Sequence, residues 1–194
     1  RSVLLGFILV LAAAQVAAAS SRDDWPSLRH AAALARADSL VFRSRAAGYA
    51  CLDSLIATAR GAGNADLEMV ASLRLASARM FIENAVAEGD SVTRRWLPRI
   101  RARGDTLSWC FALRTLGYAG LVTGRMRDAG PLYDQMLRLS RAARLETMQG
   151  YARIGTSFVA IDRGRPREAE RGYRLALRHL AGSHDPRALR TARA

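Results

Sequence analysis

The chain has 194 residues, half of them hydrophobic and 24% charged, with two cysteines. This is one domain of ordinary size, with too much apolar content for intrinsic disorder and too few cysteines for a disulfide-stapled miniprotein. All 30 basic residues are Arg and face 17 acids, a net charge of +13 that invites a test for phosphates or acidic lipids as partners.

Residues 1–19 differ from everything after them. Arg1 precedes an apolar run over 3–14, followed by Gln15 and the small residues Val16, Ala17, Ala18, Ala19 and Ser20. A charged start, an apolar middle and an Ala-x-Ala end describe a secretory signal peptide, with cleavage expected after Ala19. The alternative is an uncleaved signal anchor, because the run approaches the length of a membrane-spanning helix. Either reading takes the rest of the chain out of the cytoplasm, to the periplasm or cell exterior, with membrane contact only through residues 1–19 if these are not cleaved.

From residue 22 onward the apolar residues recur at intervals of three and four, and runs of β-branched residues are few. An all-α protein follows. The spacing predicts helices over 26–45, 47–61, 65–84, 90–103, 106–123, 126–143, 145–162, 166–181 and from 186. The joints carry breakers: Gly61-Ala62-Gly63-Asn64, Glu88-Gly89-Asp90, Gly104-Asp105, Gly124, Gly164 and Gly182-Ser183. Asp185 followed by Pro186 is an N-cap with Pro in the first turn, and the helix it opens is still running at Ala194. The domain over 22–194 therefore reads as truncated at its C-terminus.

The chain contains an internal copy. Gly124, Arg125, Arg127, Asp128, Ala129, Tyr133, Leu137 and Arg138 match Gly164, Arg165, Arg167, Glu168, Ala169, Tyr173, Leu177 and Arg178, forty residues later. Gly permits a tight turn, the acid favours the positive end of the helix that follows, and Ala suits a close helix crossing. Ala129 and Ala169 are thus expected to be buried where the two helices of a hairpin cross.

Residues carrying this signature resemble the tetratricopeptide repeat family, in a long-helix variant of about forty residues. Leu113, Leu116-Gly117, Gly124, Ala129 and Tyr133 match the family's first-helix Leu and Leu-Gly, turn Gly, crossing Ala and second-helix aromatic. The next unit keeps Gly164, Ala169, Tyr173 and Ala176 but has Thr156-Ser157 in place of Leu-Gly. A degenerate unit spans 73–100, with Asn84 and Gly89 near the turn and crossing positions. The resemblance implies a right-handed superhelical solenoid of antiparallel helix-turn-helix repeats, whose first helices line a concave face that receives a protein or peptide.

On that basis the candidate partner-binding residues are Phe111, Arg114, Tyr118, Tyr151, Ile154 and Phe158, with a place in the helical core as the competing reading. Arg114 and Tyr118 are expected to be solvent-accessible neighbours on one helix face. Some relatives grip a peptide's terminal carboxylate with Lys and Asn; neither type stands at the matching positions here, although the Arg114 fork suits a carboxylate.

Other candidates for chemistry are weaker. His179 and His184 straddle a predicted helix end and read as capping or exposed imidazoles, with His30 isolated. Cys51 and Cys110 lie in separate predicted helices without Cys-x-x-Cys spacing and read as two buried thiols. No nucleophile elbow, phosphate loop or metal spacing occurs, so neither a catalytic site, a metal nor a cofactor is expected. The surplus positive charge lies towards the C-terminus: from Arg138 onward 13 Arg face 5 acids. These arginines recur at helical intervals without exposed aromatics between them, which favours a solvated face over a nucleic-acid site.

Two functions fit. The leading one is a non-enzymatic protein-interaction scaffold; the alternative is the sensor or substrate-recruiting N-terminal arm of a larger exported signalling protein or caspase-like peptidase whose effector follows residue 194.

Overall fold

A computed structural model of the chain describes residues 28–181. The expected signal segment, His184 and the helix from 186 lie outside the described residues. Eight α-helices and no strand occur within them: α1 Leu28–Arg43, α2 Arg45–Gly61, α3 Ala65–Glu83, α4 Val86–Arg103, α5 Thr106–Val122, α6 Met126–Ala142, α7 Glu146–Asp162 and α8 Pro166–Ala181. Each packs on its neighbours in the chain, and α1 with α3 and α5 with α7 touch across one intervening helix.

Local chemistry sets where these helices begin. The Asn64 side chain accepts a hydrogen bond from the Leu67 amide at 3.1 Å and caps α3, whose first turn also carries Asp66 and Glu68. Asp105 caps α5 through the amides of Leu107 and Ser108, at 3.1 and 3.3 Å. Pro166 opens α8, where its missing N–H removes a donor that has no intrahelical acceptor.

The helix ends follow a rhythm. Residues with a left-handed backbone occur at Gly63, Asn84, Gly104, Gly124, Arg144 and Gly164, one in each joint from α2 to α8 at intervals of twenty or twenty-one residues. Nothing lies within 4 Å of a Cβ built at Gly63, Gly104, Gly124 or Gly164, so their requirement for glycine is backbone conformation and not space.

The joint between α1 and α2 falls two residues earlier than expected, and a larger departure from the sequence reading occurs at α4. The helix expected from 90 starts at Val86, and Gly89 lies inside it, buried. The break falls instead at Asn84, whose φ of 58° terminates α3. Gly89 is there for room: a Cβ on it would stand 2.7 Å from Met80 Sδ on the facing helix.

The same pairing recurs in the next hairpin, where a Cβ at Gly120 would meet the Ala129 methyl at 3.1 Å. Forty residues on, Ala160 and Ala169 are both buried. Positions 80 and 89, 120 and 129, 160 and 169 thus hold combinations of large with none, none with small, and small with small. The expected burial of Ala129 and Ala169 is found, at 0% and 2% exposed. A single apolar cluster runs from Leu34 in α1 to Leu180 in α8. The repeat-like arrangement therefore shares one continuous core.

Candidate functional site

The six sequence candidates occupy three register points on two helices: Phe111 and Tyr151, Arg114 and Ile154, Tyr118 and Phe158, each pair forty residues apart on α5 and α7. Phe111 and Tyr151 are buried, Tyr118 and Ile154 half-buried, and Phe158 exposed. The structure brings Arg114 and Tyr151 together and joins both Arg114 and Tyr118 to a residue absent from the candidate set, Phe81 of α3.

Arg114 is the centre of this arrangement. Its guanidinium carbon lies 3.6 Å from the ring centroid of Tyr151 on α7 and 4.6 Å from that of Phe81 on α3. The Phe81 and Tyr118 rings are 4.3 Å apart with their planes at 44°. A flat cation held by two aromatic rings binds both through their negative faces, and an Arg is suited to this because its charge is spread over a plane. Arg114 is consequently 9% exposed, not the accessible fork expected from sequence. The reason is its placement: one turn before Tyr118, it meets rings from the helices on both sides. Among the described residues it forms no ion pair.

Phe81 escaped the sequence reading because the repeat in which it lies is degenerate. Its register partners are Leu121 and Ile161, so alignment at forty residues marks it as apolar but not as aromatic. The same alignment pairs Arg74 with Arg114. Arg74 instead meets the Asp38 carboxylate of α1, both side chains being largely buried. One register point thus carries a carboxylate-paired arginine in α3 and an aromatic-paired one in α5.

The electrostatics around this face follow from burial. Burial pushes the Tyr133 hydroxyl above its ordinary range, against the opposing influence of the Arg114 charge. Burial, with a smaller contribution from Asp105, also pushes the Cys110 thiol up to about 12. Such a thiol is protonated at neutral pH and is a poor nucleophile. Cys51 is half-buried, and both cysteines are free.

Elsewhere, His179 Nδ1 lies 2.5 Å from Glu146 Oε2, which ties the end of α8 to the start of α7. A cleft of about 130 Å³ is lined by Asp134, Thr156, Arg163, Arg165 and Glu168 among others. Among the described residues no group of three or more His, Cys, Asp or Glu is placed to hold a metal ion, and no helix is long and apolar enough to cross a membrane.

Apolar side chains remain open on α7 and α8. Phe158 is 46% exposed and Ile161 52%, with Leu177 also exposed. The Phe158 ring meets Tyr173 edge to face at 5.9 Å. No protein-family model, curated protein or solved structure matches this chain. The tetratricopeptide resemblance accordingly rests on the residues named above.

Proposed function

We propose that this chain is a non-enzymatic protein-interaction scaffold of tetratricopeptide type. In this reading α1–α2, α3–α4, α5–α6 and α7–α8 are successive hairpins of a right-handed superhelix. A protein or peptide segment lies along the concave face of α3, α5 and α7. The observation that carries the reading is the contact of Arg114 with Phe81 and Tyr151, which links three successive first helices along one face. The division of labour is then clear. Phe111, Arg114 and Tyr151 hold the helices in register, while Tyr118, Ile154 and Phe158 keep enough exposed surface to touch a partner. Stiff aromatic plates beside a rigid scaffold limit the entropy lost on binding.

Partner capture on the immobilised protein tests this reading. Tyr118→Ala with Phe158→Ser should lower capture strongly while leaving the helical circular dichroism spectrum intact. Capture equal to that of the parent would remove α5 and α7 as the contact surface. Export, to the periplasm or beyond the cell, belongs to the same proposal and rests on residues 1–19. Mass spectrometry of the expressed protein should find a mature N-terminus at Ser20, whereas an intact Arg1 in a soluble fraction would contradict export by cleavage.

A further inference from the structure

Positions 73, 113 and 153 are one register point on α3, α5 and α7. Leu73 and Leu113 are core residues, 1% and 2% exposed. Arg153 takes that place in α7, and its Nε is buried with no hydrogen-bond partner. A desolvated N–H without an acceptor opposes folding, and the leucine of the two earlier hairpins would have avoided that penalty. Sequence alignment at the forty-residue step shows the substitution but not its isolation.

Two further arginines, at helix ends on either side of α7 in the chain, bear on it through their charge. Arg141 lies in the last turn of α6 and Arg178 in the last turn of α8. Burial first, then the charges of Arg141 and Arg178, hold the Arg153 guanidinium below the usual arginine range. Among the described residues none of these three arginines forms an ion pair. Other cations in or just before α8 do: Arg165 meets Glu168, Arg174 meets Glu170, and His179 meets Glu146. Arginines of three successive helices therefore act electrostatically on one another, and the one on α7 holds an N–H donor that lacks an acceptor.

We propose that α6, α7 and α8 form a binding site for an oxyanion of the phosphate class, with Arg153 donating through Nε and Arg141 and Arg178 completing the charge. Guanidinium forks match the spacing of phosphoryl oxygens, and a dianion converts their mutual repulsion into attraction. The phosphoryl group arrives either as free phosphate or on a phosphorylated segment of a partner. The site uses none of the residues of the Arg114 face and does not depend on the scaffold reading.

The test titrates the full chain with sodium phosphate, against sodium chloride at matched ionic strength. The readouts are the thermal midpoint and the Arg153 Nε–Hε magnetic resonance signal. Phosphate should raise the midpoint saturably and shift that signal. A second titration uses the tripeptide Ala-phosphoserine-Ala: binding tighter than free phosphate by roughly tenfold assigns the site to a phosphorylated segment, and equal or weaker binding assigns it to the free ion. Arg153→Leu restores the residue of the other hairpins, so it should raise the midpoint in phosphate-free buffer and abolish the phosphate-dependent rise. Arg141→Gln with Arg178→Gln, both at exposed positions, should weaken phosphate binding by roughly tenfold or more without lowering the midpoint. A phosphate response no larger than that of chloride, or one that survives in Arg153→Leu, overturns the proposal.

Discussion

Gly155 of α7 faces the ring of Tyr133 in α6 so closely that a Cβ at position 155 would overlap the ring edge. On the other side of the ring, a Cβ at Gly117 of α5 would stand 2.8 Å from its Cε2 and Cζ atoms. One buried tyrosine is thus wedged between a glycine of its own hairpin and a glycine of the next. Gly155→Ala should destabilise the protein by about 1–3 kcal/mol through overpacking, outweighing the better helix propensity of alanine. Urea unfolding measures the loss, which should shrink in a Tyr133→Leu background. An equal loss in both backgrounds would show that the ring is not what the methyl group meets.

Ala169 of α8 is 2% exposed. Ala169→Leu brings three extra carbon atoms into a place already filled, and should cost about 1–3 kcal/mol. Its register partner Ala129, at 0%, should respond in the same way. A thermal midpoint equal to the parent's for either variant would mean that the helices separate easily at that point.

Arg114→Ala should also lower the midpoint, because it removes a cation from two rings and leaves a gap between three helices. About 1–3 kcal/mol is expected. Arg114→Lys should recover part of this at most, since an ammonium cannot lie flat between Phe81 and Tyr151. Phe158→Ala, at an exposed site, should change stability by no more than about 0.5 kcal/mol. If all three variants melt together with the parent, the aromatic contacts of Arg114 contribute nothing to the fold.

Alkaline pH should weaken the fold in a particular window. The Cys110 thiol titrates at about 12 in the folded chain because burial, with Asp105 behind it, disfavours the thiolate. The unfolded thiol loses its proton near pH ~8.5. The folded state then holds more protons than the unfolded state, so stability is full below that value and falls as pH rises towards 12. Tyr133, raised mainly by burial, adds a decline of the same sign at higher pH. Urea midpoints measured from pH 7 upward should show the fall, and Cys110→Ala should make it shallower. Alkylation at pH 8 should modify half-buried Cys51 before Cys110.

The helices were legible because turn residues and apolar spacing agree along most of the chain. Gly124 and Gly164 announce their joints by composition, and both take the left-handed backbone that the turn needs. Gly89 misleads because glycine answers two different demands, a special backbone angle and an absent side chain, and only the packing against Met80 tells them apart. Arg144 turns its joint with φ 57°, which no composition rule for turns would select. The candidate face was legible as positions on α5 and α7 but not as contacts. An arginine one turn from a tyrosine reads as an exposed hot spot until the rings of Phe81 and Tyr151 are found on both sides of it.

The strongest helix contacts join elements adjacent in the chain, and few reach further. Such a topology keeps the loops closed during folding short, which favours rapid folding from local nuclei over slow long-range search. It also divides cooperativity. Amide hydrogen exchange should be slowest around Met136 and Leu113, buried on α6 and α5, and faster in the exposed joints between helices.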